Sequence, residues 1–202
     1  MIQIKELKKG LVLHLRLLLL LILFHPAAKI FGQSILLKAG MNASSVAGVP
    51  EKTALIGYHV GIGGIKDVSG KLALKSELIF SQQGTKITDD ERLIYYYLNM
   101  PILLNAHLGN NFFFNVGPQV GLALKALEKR ESDRDITANL NVVDVSACMG
   151  VNYLISERLL VEGRVNVGIT DLSRISVTER YRNTVLQGSV GYYFNRKSQQ
   201  SE

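Results

Sequence analysis

Eight segments that alternate apolar and polar residues, joined by connections that are by turns short and long, follow a short leader that is first basic and then apolar. These three observations predict an all-β chain: an eight-stranded antiparallel up-and-down transmembrane β-barrel over residues 33–202, preceded by a signal peptide over residues 1–32.

The leader carries Lys5, Lys8 and Lys9, then Arg16, and then an unbroken apolar run from Leu17 to Phe24. A helical membrane span needs roughly 20 apolar residues, and this run is much shorter, so it reads as a secretory signal. His25-Pro26 ends it, Ala27, Ala28 and Gly32 follow, and cleavage is expected near Gly32–Gln33. The leader also explains the charge. Lys5, Lys8, Lys9, Arg16 and Lys29 against Glu6 supply four of the six net positive charges of the chain, which leaves two for the rest. A mature chain so near neutrality gives no electrostatic footprint for nucleic acid. Cys148 is the only cysteine, which excludes an internal disulfide and a cysteine-based metal cluster. No cofactor is implied.

The strands follow in order. Ile35 to Asn42 is the first, with Lys38, Gly40 and Asn42 on its polar side. Leu55 to Ile65 is the second, with Ile56, Tyr58, Val60 and Ile62 opposite Gly57, His59, Gly61 and Gly63. Leu72 to Gln83 sets Leu72, Leu74, Leu78 and Phe80 against Lys75, Glu77, Ser81 and Gln83. Leu93 to Leu108 is the fourth. Phe112 to Lys125 is the fifth, with Asn115, Gln119 and Lys125 on its polar side. Val142 to Leu154, Leu159 to Gly168 and Val185 to Phe194 complete the set. Successive side chains of a strand point to opposite faces, so each segment has one apolar and one polar face. Pro101 and Pro118 lack the N–H that a ladder needs, and a bulge or local break is expected at each. Lys66–Gly70, Gly109–Asn111 and Ile155–Arg158 read as tight periplasmic turns; Ala43–Ala54, Gly84–Arg92, Ala126–Asn141 and Ile169–Thr184 read as longer external loops.

Alternation alone does not say which face is outside, since a soluble lipocalin-like barrel alternates too. Volume argues for apolar-out: an eight-stranded interior is only just filled by side chains, and eight faces of Leu, Val, Ile, Phe and Tyr would overfill it. The aromatics agree. Threaded up and down from residue 33, Tyr58, Phe80 and Tyr96 fall at the external ends, and Phe112, Phe114, Tyr153, Tyr192 and Phe194 at the periplasmic ends. Two aromatic girdles flanking an aliphatic band are what a bilayer selects. The last strand ends in Tyr192-Tyr193-Phe194, the kind of terminal aromatic expected of a client of the barrel assembly machinery, although the tail Asn195 to Glu202 follows it.

Three motifs carry a resemblance. Leu74-Lys75-Ser76-Glu77-Leu78-Ile79-Phe80-Ser81-Gln82-Gln83-Gly84, then Tyr97-Leu98-Asn99-Met100-Pro101-Ile102-Leu103-Leu104, then Gly117-Pro118-Gln119, occur in order and at strand spacing. They resemble the PorT-like family of small outer-membrane β-barrel proteins of Gram-negative bacteria, over nearly the whole mature chain. The resemblance implies an integral outer-membrane barrel, accounts for both prolines, and carries no catalytic residues. Some members are linked to protein secretion.

Lys38, Lys75, Glu77, Lys125, Asp144, Glu162 and Arg164 are expected to point inward. Strands three and seven of an eight-stranded barrel face each other, so Lys75 and Glu77 are expected to meet Glu162 and Arg164, as a charge network plugging the lumen rather than as an ion path. His59 and His107 also read as lumen-facing, too far apart along the barrel to share a site, with no Ser and carboxylate arranged beside either. Arg174, Arg180 and Arg182, with Tyr181, lie in the last loop, where guanidinium groups suit the phosphates of lipopolysaccharide. The mixed run Glu128 to Asp135 reads as a solvated loop, and Asn42-Ala43-Ser44 as a chance glycosylation triplet.

The expected function is that of a non-enzymatic integral outer-membrane protein with a structural or interaction role through its external loops. Its expected partners are outer-membrane lipid and an envelope protein, with no nucleic acid. The alternatives are an accessory role in secretion, an outer-membrane lipid-modifying enzyme, and a soluble lipocalin-like carrier.

Overall fold

The structure is a computed structural model; it describes residues 34–48, 52–88, 90–130, 132–139, 141–172 and 181–194. The leader, its cleavage site, Arg174, Arg180 and the tail after Phe194 lie outside the described residues.

Eight long strands form one closed antiparallel sheet. They are β1 (Ile35–Ala47), β2 (Thr53–Ser69), β3 (Leu72–Lys86), β4 (Arg92–Gly109), β5 (Phe112–Lys129), β7 (Val143–Leu154), β8 (Leu159–Gly168) and β9 (Arg182–Tyr193), with a two-residue strand β6 (Arg134–Asp135) beside the top of β5. Each long strand pairs with its neighbour in sequence, and β1 pairs with β9 from Leu36↔Tyr193 to Ala47↔Arg182. Closure leaves no free strand edge, the condition for placing backbone amides in hydrocarbon.

One end of the barrel carries the tight connections, Gly70–Lys71, Asn110–Asn111 and Ile155–Arg158, together with Ser34 and Phe194. Asn110 and Asn111 both take positive φ (47° and 67°), the backbone that a two-residue hairpin between right-twisted strands requires. The other end carries the longer connections, and these are shorter than the sequence suggests because the strands run on past the expected boundaries. β5 continues to Lys129, and the chain then turns back to pair Asp135 with Leu127. A barrel strand crosses a bilayer in about 9–11 residues, so the 15 to 18 residues of β2 to β5 project well beyond it.

The apolar face is outside. Met41, Ile56 and Leu186 are 64%, 60% and 56% exposed, whereas Lys38, Lys75 and Arg164 are at most 2% exposed. Tyr58, Phe80 and Tyr96 meet across β2, β3 and β4 at the external side (centroids 6.4 and 6.0 Å apart), the first pair tilted and the second stacked. Phe112 meets Tyr153, and Tyr192 meets Phe194, at the periplasmic side. Among the described residues no helix is long and apolar enough to cross a membrane; this chain crosses with strands.

The prolines break the ladder without shifting it. Pro101 pairs with Gln119 and Leu104 with Val116 in one continuous register, while pairing lapses at the two positions between. The register shifts within β4–β5 lie elsewhere, one between His107↔Phe113 and Gly109↔Phe112 at the periplasmic end, the other between Tyr96↔Lys125 and Tyr97↔Ala123. The bulge at Tyr96 and Tyr97 corrects one expectation. Leu124 is the extra residue, both Leu124 and Lys125 are exposed, and Lys125 points outward rather than into the lumen.

Candidate functional site

The interior is layered, and β1 alone displays the layers. Its inward residues read Leu36, Lys38, Gly40, Asn42, Ser44 and Val46 from the periplasmic end upward, all but Gly40 buried. Leu36 belongs to an apolar cap with Leu154, Leu160 and Tyr193, against which Ile65 and Phe113 pack. Val46 belongs to a second cap, at the external mouth, with Tyr95, Tyr97, Ala123, Ala126 and Leu172; Leu93, Ile136 and Tyr181 pack on it. Leu172, Ile136 and Tyr181 come from the external connections, so the loops themselves help to close the mouth.

Between the caps lies the charge. The structure brings Lys75 and Glu77 of β3 together with Glu162 and Arg164 of β8, and adds Lys38 of β1. Glu162 lies 2.6 Å from Lys38 Nζ, 2.6 Å from Lys75 Nζ and 2.8 Å from Arg164 Nη2. Glu77 lies 3.1 Å from Lys38 Nζ, 2.8 Å from Lys75 Nζ and 2.8 Å from Arg164 Nη1, which donates a hydrogen bond to it. Arg164 Nη2 has the ion-pair distance to Glu162 without hydrogen-bond alignment, and Arg164 Nε also lacks a partner. Each carboxylate thus touches three cations and each cation touches both carboxylates. Isolated charges are prohibitively costly away from water, and mutual pairing of this kind is what permits their burial. Gly63 makes room for the cluster: a Cβ there would stand 2.9 Å from Glu77 Cγ.

Above the ionic layer sits a neutral polar one. His59 contacts Ser189 Oγ through Nε2 at 2.8 Å and Asn42 Oδ1 through Nδ1 at 2.7 Å. Gln187 donates to Asn42, and Asn166 donates to Gln187. Sequence reasoning missed the Ser189–His59–Asn42 contact, because Ser189 and Asn42 meet His59 only once β9 closes on β1. Its order is that of a nucleophile, a base and an orienting amide. All three side chains are nevertheless buried, and a Cβ on Gly40 would stand only 2.8 Å from the imidazole. The contact ties β1, β2 and β9 together. His107 lies apart, stacked on Phe113 at 4.7 Å.

Asp144 points inward and accepts from Thr170 Oγ1 at 2.7 Å. Arg182 is exposed at the first position of β9, opposite Ala47. Asn42 faces the lumen, fully enclosed, so its triplet is no acceptor. A cavity of about 20 Å³ at the periplasmic cap, lined by Ile65, Asn105, Phe113, Asn152, Leu154, Leu160 and Tyr193, has room for one water. Among the described residues no group of His, Cys, Asp and Glu is arranged to hold a metal.

An apolar outer wall between two aromatic girdles, a polar lumen and full closure define a small transmembrane β-barrel of the bacterial outer membrane. Residues 31–174 match the family model of the outer membrane protein beta-barrel domain, and the chain belongs to that family. Its fold is similar to that of Neisserial surface protein A, at a TM-score of 0.60 with 10% identity, over 79% of this chain and 97% of that one. It is also similar to Ail, the attachment invasion locus protein of Yersinia pestis, at a TM-score of 0.50 with 9% identity, over 80% of this chain and 99% of that one. No curated protein matches the sequence. The protein is an integral outer-membrane protein, with its apolar face outward and its charged face toward the lumen.

Proposed function

We propose that this barrel is a closed scaffold that neither conducts nor catalyses, and that it works by presenting its external connections to an envelope partner. The PorT-like motifs on β3, β4 and β5 support a place in that subfamily, and residues 1–32 serve as the signal that exports the chain. The observation that carries the reading is the filled lumen: three buried cations and two buried carboxylates pair with one another between two apolar caps. An interior spent on self-pairing offers no path and no reaction site. The projecting ends of β2 to β5 and the two long connections, 130–142 and 169–181, are then the surface left for function.

Site-specific photo-crosslinking in intact cells tests this. Probes at Thr137 and Asp171, in the long connections, should give a discrete adduct with an envelope component, whereas probes at the lipid-facing positions Met41 and Leu186 should not. Equal labelling from all four positions, or none from the connections, would overturn the reading.

A further inference from the structure

The outer surface of the wall carries a charge arrangement that the lumen does not explain. Thr53, Lys86, Arg92 and Lys129 stand in one row across β2 to β5 at the external rim, through the partners Thr53↔Lys86, Lys86↔Arg92 and Arg92↔Lys129. Three consecutive members of that row are cations. Directly opposed side chains of an antiparallel pair have Cβ atoms about 4.5–5.5 Å apart, and like charges there repel. Lower on the same face the bulge turns a fourth cation outward: Lys125 stands opposite Tyr96, at the level of the aromatic contacts with Phe80 and Tyr58.

Several of these cations are engaged: Lys129 is held by Asp133 at 2.6 Å, Lys86 has an interaction of its own, and Asp135 lies within electrostatic range of Lys125. Glu91 and Glu128 are engaged by Arg130. Arg92 and Lys125 make no ion pair with any described residue. A regular ladder would have sent Lys125 elsewhere, so the row sets three cations above an aromatic, lipid-facing surface and the bulge adds a fourth beside it.

We propose that this face of β3 to β5 binds a phosphorylated glycolipid of the outer leaflet. Its acyl chains lie along Phe80 and Tyr96, and its phosphates sit among Lys86, Arg92, Lys125 and Lys129. The anion relieves the repulsion within the row, a guanidinium fork suits phosphate geometry, and Lys125 reaches up from the apolar level by its flexible stem. This site adjoins the connection 130–142 through Asp133 and is separate from Arg182, which begins β9 on another part of the wall.

The test uses the full barrel refolded in zwitterionic detergent, titrated with bis-phosphorylated lipid A and, separately, with the same lipid A after dephosphorylation, with bound lipid read by native mass spectrometry. The wild type should bind the phosphorylated form at least tenfold more tightly. The triple variant Lys86→Gln, Arg92→Gln, Lys125→Gln should lose that preference, and Arg182→Gln should keep it. Folding of each variant is checked by its heat-dependent gel mobility; if the triple variant does not fold, Arg92→Gln alone takes its place and should weaken binding severalfold. Equal binding of the two lipids by the wild type, or a folded variant of the row that keeps the full preference, would overturn the proposal.

Discussion

The β7–β9 side of the barrel and its β3–β5 side are built to different rules. β9 alternates strictly between exposed and buried over all 12 of its residues, and β8 does so over nearly all of its 10. β4 and β5 run to 18 residues each, lose pairing around Pro101 and Pro118, and carry a bulge at Leu124. The short regular wall is just long enough for the bilayer; it spans it, supplies Glu162, Arg164 and Ser189 to the lumen, and gives Leu154, Leu160 and Tyr193 to the periplasmic cap. The long irregular wall reaches beyond the membrane, where β6 folds back on it, Tyr95 and Tyr97 cap the mouth, and cations face outward. Irregularity collects where side chains have to be re-aimed, which is what a bulge does.

The sharpest way to break the regular side is at its charge. Glu162→Gln leaves Lys38, Lys75 and Arg164 with one carboxylate, and removing one partner of a buried pair costs about 3–5 kcal/mol. The urea midpoint of the barrel in phospholipid vesicles should fall accordingly. Glycines sharpen the contrast between the walls. Gly84 of β3 has a φ of 152°, and a Cβ there would collide with the carbonyl oxygen of Leu93; Gly163 of β8 and Gly188 of β9 face open space. Gly84→Ala should therefore destabilise by about 1–3 kcal/mol, while Gly163→Ala and Gly188→Ala should stay within about 0.5 kcal/mol of wild type by the same midpoint.

A chemical measurement separates the lysines. Acetylation of the folded barrel, mapped by mass spectrometry, should modify Lys125 quickly and leave Lys38 and Lys75 untouched until the sample is boiled. The smallest effect concerns the connection above β5. The backbone N–H and hydroxyl of Thr137 both donate to Asp135 and hold its carboxyl below the usual aspartate range. A lowered carboxylate pKa stabilises the fold above the unfolded value and loses that contribution as pH falls through the folded one. Asp135 should thus remain ionised at a pH where a free aspartate is half protonated, and Thr137→Val should raise its midpoint in a carbon-13 titration.

The same division explains what was legible in the sequence. β7, β8 and β9 could be read almost residue by residue, because nothing interrupts their period of two. The strand count, the closed fold and the inward direction of Lys75, Glu77, Glu162 and Arg164 follow from period and order alone. Lys125 was misdirected because one inserted residue reverses every face beyond it, and no residue type marks that insertion. Lys38 read as inward, but its place between Glu77 and Glu162 depends on the stagger of β1 against its neighbours, which alternation does not encode. The contact of His59 with Ser189 and Asn42 was hidden for the same reason, and the external strand extensions were hidden by their polar composition, which reads as loop.

The central claim is that the lumen is shut by its own charges. Planar-bilayer recording of the refolded wild-type barrel, with folding verified by its heat-dependent mobility, tests it directly. The account predicts a silent membrane, with no steady conductance at any voltage the bilayer tolerates. Reproducible ohmic steps from the folded wild type would contradict it and would make the Lys38–Glu77–Glu162–Arg164 layer the lining of a pore.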